Sequence, residues 1–308
     1  MLSRAMSKLR IGFIPEHFSS PLQFAQKHFN LNADLVPVPL GTGALVGGLK
    51  GATGDNDKPI DIAIGLTEGF VADLGKTHSA GESPVYNLAG TYVESPLCWA
   101  ISTGAARNDI NDVAGLKGKK VGVSRIGSGS YVMSFVLADQ HGWLSPDRDP
   151  FTVVPIGDFA ALRKGVRNEG DASKHADFFM WEHFTTKHFW DAGEIKRIGE
   201  IYTPWASWMI AARKTVTDEQ LKDLTAKLNQ GVKHYRENEQ EAVDYITSAM
   251  DYSSEDAREW MKTVRFTTGT HGVAPKVIDD AVAILQKAGV LDASSAGGSE
   301  HMITVKKS

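Results

Sequence analysis

Between Leu9 and Ala100 the apolar positions fall into three short runs, LRIGFI, DLVPVPL and IDIAIGL. Each has the length of a strand, and each is followed by a segment, such as PLQFAQKHF or ALVGGLK, whose apolar residues recur at helical spacing. Alternation of this kind predicts β/α units on a mainly parallel sheet covered on both faces. A fourth run, LAGTYVESPLCWAIS, is long for one strand and leads into no helix that returns to the same sheet, so a crossover is expected there. From about Val113 the alternation restarts with KKVGVS, YVMSFVLADQHGW, FTVVPI, FAALRKGV and the aromatic ADFFMW. A second long extended run, IKRIGEIYTPWASWMIAA, comes next, and the chain then turns helical. Thr217 and Gln220 have capping-box spacing ahead of Leu221, Leu224, Leu228 and Val232. Pro275 opens a last helix through Val277, Ile278, Ala281, Val282 and Leu285, stopped by Gly289.

Two α/β units joined by two extended segments predict an α/β fold of two lobes, each a mainly parallel sheet flanked by helices, with two hinge strands between them. Residues 102–205 form the inserted second lobe; residues 1–101 and 206–308 form the first. Such an arrangement encloses a cleft. The chain carries no internal repeat at solenoid periods. The patch ASSAGGSE near its end reads as a loose tail.

A length of 308 residues agrees with two domains of ordinary size. With 42% hydrophobic residues, 23% charged residues and a net charge of −4, the composition is that of a soluble globular protein. It lacks the basic excess of a nucleic-acid binder. The sole cysteine, Cys98, sits in the apolar PLCWAI, which excludes an internal disulfide and a cysteine-based metal cluster and reads as a small buried hydrophobe. The start, MLSRAMSKLR, has no apolar core of a signal peptide, and no run is long enough to span a bilayer. A cytoplasmic location is therefore expected, with the stub of a mitochondrial presequence as the alternative.

In open α/β sheets ligands bind beyond the carboxyl ends of the strands, where helix N-termini leave backbone N–H groups free. After the first strand come Glu16 and His17; after the second, Gly41, Thr42 and Gly43; after the third, Thr67 and Glu68. In the second unit Ser128, Gly129, Ser130 and Tyr131 follow KKVGVS, and Trp181 and Glu182 close ADFFMWE. Taken singly, each small residue is as well explained by an ordinary turn. Taken together, an aromatic face and a hydrogen-bond acceptor at the end of a strand suit a flat ligand bearing amino groups.

Sharper chemistries fail on spacing. GTGALVGG has one residue too many for a dinucleotide fingerprint, and Asp61 precedes its apolar run instead of ending it. KGKKVGVSRIGSGSY puts its lysines before the strand and not after the glycines, so no Walker-type phosphate loop is supported. Its Tyr131 stands where the last glycine of a nucleophile elbow belongs. His183 and His188 are five apart without a third ligand at zinc-like spacing, and no metal site is expected there. No catalytic residue, metal or cofactor is assigned.

The order IGFIPEHFSSPLQFAQKHF, DIAIGLTEG, YVESPLCWAIS, DVAGLKGKKVGVSRIGSGS, ADFFMWEHF and AVAILQKAGVL resembles the periplasmic-binding-protein type II superfamily over about Leu9 to Leu291. The similarity points to its branch of nitrate, sulfonate and taurine binders, thiamine-pyrimidine-precursor binders and fungal thiamine-pyrimidine synthases. The resemblance implies two lobes that close on a small molecule. It implies ligand-binding positions at Glu16, His17, Gly41 to Gly43, Thr67, Glu68, Ser95, Ser128 to Tyr131, Trp181 and Glu182. Exported members carry a signal segment that MLSRAMSKLR does not resemble, which weighs against the receptor of an ABC importer. The fungal synthases carry a cysteine run that Cys98 alone does not replace, which weighs against their chemistry. A fungal, cytosolic binding protein is the reading that results.

Charge bears on the ligand. A helix N-terminus favours an anion by roughly 0.3 to 1 kcal/mol, and each enclosed like charge costs as much or more. Glu16, Glu68 and Glu182 all fall on cleft positions, with Arg125 the cation nearest them in sequence. Three carboxylates predict a neutral or cationic, flat, amino-bearing metabolite, with a thiamine-pyrimidine precursor favoured over a sulfonate or nitrate.

Overall fold

The computed structural model describes residues 8–51, 59–145, 149–292 and 297–307. The residues at the start of the chain on which the presequence alternative turns lie outside them. Three β/α units come first: β1 (Leu9–Phe13) and α1 (Ser20–Phe29), β2 (Ala33–Pro37) and α2 (Thr42–Leu49), β3 (Ile62–Leu66) and α3 (Thr67–Ser79). After β4 (Tyr86–Val93) the chain crosses to β5 (Cys98–Gly104). The second series is β6 (Lys120–Val123), α4 (Gly129–Gln140), β7 (Thr152–Pro155), α5 (Phe159–Val166), β8 (Phe178–Glu182), α6 (His183–Asp191) and β9 (Ile195–Tyr202). The chain then returns through β10 (Trp208–Arg213) to α7 (Asp218–Glu237), α8 (Glu239–Ala249), α9 (Ser254–Thr263), α10 (Pro275–Lys287) and the short α11 (Ser299–Met302).

The strands form two five-stranded sheets, ordered β2-β1-β3-β10-β4 and β7-β6-β8-β5-β9. In each, four strands run one way, and the strand that has just crossed from the other sheet, β10 or β5, runs against them. The two-lobed α/β architecture read from the sequence is the one observed. Residues 98–101, placed by that reading at the end of the first lobe, belong to the second sheet, because β5 pairs with β8 and β9 from Cys98 onward. The linking segments are thus 94–97 and 203–207.

These two linkers are tied to each other. The Leu97 N–H donates to Thr203 Oγ1 at 2.9 Å, the Thr203 N–H returns to Leu97 O at 3.0 Å, and Ser207 Oγ donates to Ser95 O at 2.7 Å. Paired linkers confine relative motion of the lobes to a hinge.

Local chemistry explains the element ends. Thr217 and Gln220 exchange both bonds of a capping box at the start of α7. Asn30 stops α1 with a left-handed φ of 54°. Gly289 follows α10 at φ +71°, as its stop signal requires. In the tail, residues 293–296 of ASSAGGSE lie outside the described residues, and the segment from Gly297 onward is docked, not loose. Ser299 is buried, with its N–H and Oγ both donating to the Asp279 carboxylate, and Ile303 bridges to Leu88 of β4. No helix among the described residues is long and apolar enough to cross a membrane.

Candidate functional site

The carboxyl ends of β1, β2 and β3 face those of β6 and β8 across an enclosed cavity of about 70 Å³. The first lobe contributes Ile14, Glu16, Gly41, Thr42, Leu66 and Trp208; the second contributes Trp99, Arg125, Ser128, Gly129, Ser130, Trp181 and Glu182. The hinge residue Leu97 closes the floor between them.

Two turns build the small-residue walls. Gly41 caps α2 with φ 79°, and Thr42 Oγ1 then accepts the Leu66 N–H at 2.9 Å, locking the second strand-helix turn to the third. Ser128 is the N-cap of α4: its Oγ accepts the Tyr131 N–H at 3.3 Å and lies 3.0 Å from Ser130 Oγ, which accepts the Ser124 N–H. The first N–H groups of α4 have no partner within the helix and lie at the cavity.

Three indoles supply the aromatic surface. Trp181 stacks on Phe159 with centroids 5.1 Å apart, and Trp208 stacks on Phe18 at 4.8 Å, so each ring is held from behind. Trp99 and Trp208 are 4% and 2% exposed, and the Nε1 of each is buried without a hydrogen-bond partner. Buried donors of this kind cost roughly 1–3 kcal/mol until something accepts from them.

The three carboxylates are not equivalent. Glu16 has its pKa raised to about 8, first by burial and then by the charge of Glu182. Glu68 is 0% exposed and takes a 3.1 Å bond from Trp205 Nε1 on Oε2, while Oε1 has no partner. Burial raises its pKa to about 7, against the opposing pull of its backbone bond and Trp205. For Glu182 burial also pushes upward, but His17 and the Thr185 N–H outweigh it, and the carboxyl falls below the usual range. The Thr185 N–H reaches Glu182 Oε2 at 2.6 Å, and His17 Nε2 stands 3.7 Å from Oε1, which is ion-pairing distance and too long for a hydrogen bond. At neutral pH, then, Glu16 is mostly a neutral acid, Glu68 is divided between its two forms, and Glu182 is an anion facing an imidazole.

Among the described residues no carboxylate forms an ion pair with Arg125, and burial lowers its pKa. Its guanidinium occupies the space that a side chain at Gly43 would need: a Cβ there would fall 1.5 Å from Nη2. Gly129 serves the same purpose across the cleft, since its Cβ would stand 2.9 Å from the Trp99 ring and 3.1 Å from Glu68 Oε1.

Of the residues singled out from sequence, Glu16, Gly41, Thr42, Ser128, Gly129, Ser130, Trp181 and Glu182 line the cavity. His17, Glu68 and Gly43 stand directly behind it, against Glu182, Gly129 and Arg125 respectively. Thr67 is buried and ties α3 to the return linker, its Oγ1 donating to Ala206 O and its N–H to Ser207 O. Ser95 accepts the Arg265 N–H and faces a second cavity at the hinge. Tyr131 turns away: its ring packs on Phe135 at 4.9 Å and borders a separate surface depression, because three residues past the cap the helix has rotated it outward. Sequence reasoning did not single out Trp99, Trp208 or Leu97 as cavity residues. Trp99 and Trp208 are buried within apolar runs near the amino ends of β5 and β10, which run antiparallel to β8 and β3 and so bring those ends beside the carboxyl ends of their neighbours, with Trp99 opposite Glu182 and Trp208 opposite Leu66.

Comparison with known proteins agrees with this geometry. Residues 99–201 match the model of the Ca3427-like PBP family. The Candida albicans CA3427 gene product, described as defining a new family with the generic periplasmic binding protein fold, is 40% identical. The match covers 98% of this chain and 99% of that one, with a TM-score of 0.83. The alkanesulfonate-binding protein SsuA of Xanthomonas axonopodis pv. citri, bound to MOPS, is 13% identical over 96% of this chain and 97% of its own, with a TM-score of 0.69. The periplasmic aliphatic sulphonate binding protein SsuA of Escherichia coli is 13% identical over 98% and 94%, with a TM-score of 0.67. At that identity these two share the fold alone. No curated protein matches the chain. A two-sheet hinged fold, a cavity at the facing strand ends and 40% identity over nearly the whole length place the chain in the Ca3427-like family of periplasmic-binding-protein-fold proteins.

Proposed function

We propose that the protein closes its two lobes on a small, flat, amino-bearing metabolite, with a thiamine-pyrimidine precursor as the favoured ligand. The observation that carries this reading is a cavity lined by the Glu16 and Glu182 carboxyls, the Trp181 ring and two further indoles, Trp99 and Trp208, whose buried Nε1–H groups have no partner. An aminopyrimidine offers what that environment lacks: an exocyclic amine to donate to a carboxylate, ring nitrogens to accept from a protonated carboxyl or an indole N–H, and a face to lie on Trp181. Glu16, held neutral by burial, can donate as well as accept.

A second reading, an anion such as a sulfonate, is favoured by Arg125 and by the N-terminus of α4. The protonation of Glu16 removes part of the repulsion that three carboxylates would exert. A cytoplasmic location belongs to the first reading, and microscopy of a tagged copy in its own cells tests it.

A thermal-shift panel of aminopyrimidines, taurine, alkanesulfonates and nitrate separates the two. A specific ligand at 100 times its Kd adds about 2.7 kcal/mol of stability. Stabilisation by aminopyrimidines without turnover supports the proposal; turnover assigns an enzyme of thiamine-pyrimidine metabolism instead, and stabilisation by sulfonates alone overturns it.

A further inference from the structure

We propose that Cys98, His183 and Glu200 form a binding site for a zinc-class divalent cation beside the hinge, separate from the ligand cleft. The three residues are remote in sequence and are brought together by the second sheet. Cys98 opens β5, Glu200 lies near the end of β9, which pairs with it, and His183 opens α6 directly after β8 on the other side of β5. Their potential ligand atoms all lie within 4.8 Å of one another.

The geometry suits a metal. Cys98 Sγ is 3.9 Å from His183 Nδ1 and 3.5 Å from Glu200 Oε2, and those two atoms are 3.8 Å apart. Zinc bonds of about 2.3 Å to sulfur and 2.0 to 2.2 Å to nitrogen and oxygen set the edges of a tetrahedron at roughly 3.3 to 3.6 Å. The point equidistant from the three observed atoms lies roughly 2.2 Å from each, the length of a zinc-ligand bond. One thiolate, one imidazole and one carboxylate are all ligand types that zinc accepts, and they leave a fourth position open. All three residues border a cavity of about 290 Å³ next to the hinge, so that position has room for water.

The neighbouring charges define how the site loads. Arg197 donates to Glu200 Oε2 at 2.7 Å, but at 42% exposure its side chain can swing into solvent as the metal takes that oxygen. Tyr202 Oη is 3.5 Å from Glu200 Oε1. Glu182 borders both this cavity and the ligand cleft, adding a nearby negative charge. An ordinary cysteine thiol loses its proton only at about pH 8.5, so at pH 7 without metal the sulfur keeps it. Loading is therefore an exchange: the Cys98 S–H bond breaks, the sulfur–metal bond forms with the sulfur lone pair, and the proton leaves to solvent. A second triad, His28, His234 and Glu241, contains no thiol, so a metal held there would give no thiolate signal.

The test uses the full chain, freed of metal with a chelator. Zinc is titrated calorimetrically at pH 7 in two buffers of different ionisation enthalpy, and cobalt is titrated by absorption. The proposal predicts one ion per chain, release of about one proton and a thiolate-to-cobalt charge-transfer band. Cys98→Ser and His183→Gln each weaken zinc at least tenfold, while His234→Gln leaves it unchanged. The cobalt band of the unaltered chain identifies the thiolate even where a variant folds poorly. Absence of that band, retention of zinc affinity and proton release in Cys98→Ser, or loss of binding in His234→Gln alone overturns the proposal.

Discussion

His17 Nε2 lies 3.7 Å from Glu182 Oε1, and the two residues belong to opposite lobes: His17 follows β1 of the first sheet and Glu182 ends β8 of the second. Both are buried, and His17 is wedged against Tyr252 and Trp260 with centroids 4.6 and 4.2 Å away. Removing one partner of a buried pair leaves the other uncompensated. His17→Ala is therefore expected to lower the free energy of unfolding by on the order of 3 kcal/mol, and adding Glu182→Gln to restore part of that loss. Urea unfolding of the single and double variants measures both.

The raised carboxyls make stability fall as pH rises. Glu16 and Glu68 have folded pKa values of about 8 and about 7, above the ordinary 4.5 they have when unfolded. Above pH 4.5 the folded chain holds protons that the unfolded chain has lost, and this contribution is gone once pH passes 8. Glu182 works in the opposite sense: its lowered pKa contributes stability above 4.5 that is lost in more acidic solution. Denaturation midpoints should therefore decline between about pH 5 and 8, and Glu16→Gln should flatten that decline. A midpoint that climbs through this window contradicts the assignment.

The stacking face is tested at Trp181. Trp181→Ala is expected to weaken an aminopyrimidine by about 1 kcal/mol or more, at least fivefold in Kd. Isothermal titration measures it, with Tyr131→Ala as the control that changes nothing in the cleft.

Gly43 separates the two ligand readings. Alanine there is tolerated by α2, but its Cβ displaces the Arg125 guanidinium, a flexible group that can move away. Gly43→Ala should leave aminopyrimidine affinity within threefold and abolish whatever sulfonate affinity Arg125 supplies. Competition titrations on the two proteins decide it.

Much of this was legible in the sequence because the governing signals are local. The alternation of strand and helix periods, the capping box at Thr217 and the long runs around Pro96 and Pro204 each report a physical constraint within a few residues. Reading the residues after each strand found Glu16, Thr42, Ser128 and Glu182, because four of the five strands in each sheet point their carboxyl ends at the cleft. That same procedure passed over Trp99 and Trp208, since β5 and β10 run the other way and present their amino ends there. It also assigned Glu16, Glu68 and Glu182 one common charge. Their differences arise from burial and from partners such as Trp205 and His17, more than 130 residues away in sequence, which only the folded chain brings into contact. The grouping of Cys98, His183 and Glu200 was hidden for the same reason.

The most direct test of the central claim is calorimetric titration of the unaltered chain with the hydroxymethyl aminopyrimidine precursor of thiamine. Saturable one-to-one binding is predicted, with a negative heat-capacity change from the apolar surface that the lobes enclose. An absence of binding by this and every related aminopyrimidine, with an alkanesulfonate titrating one-to-one under the same conditions, would contradict it.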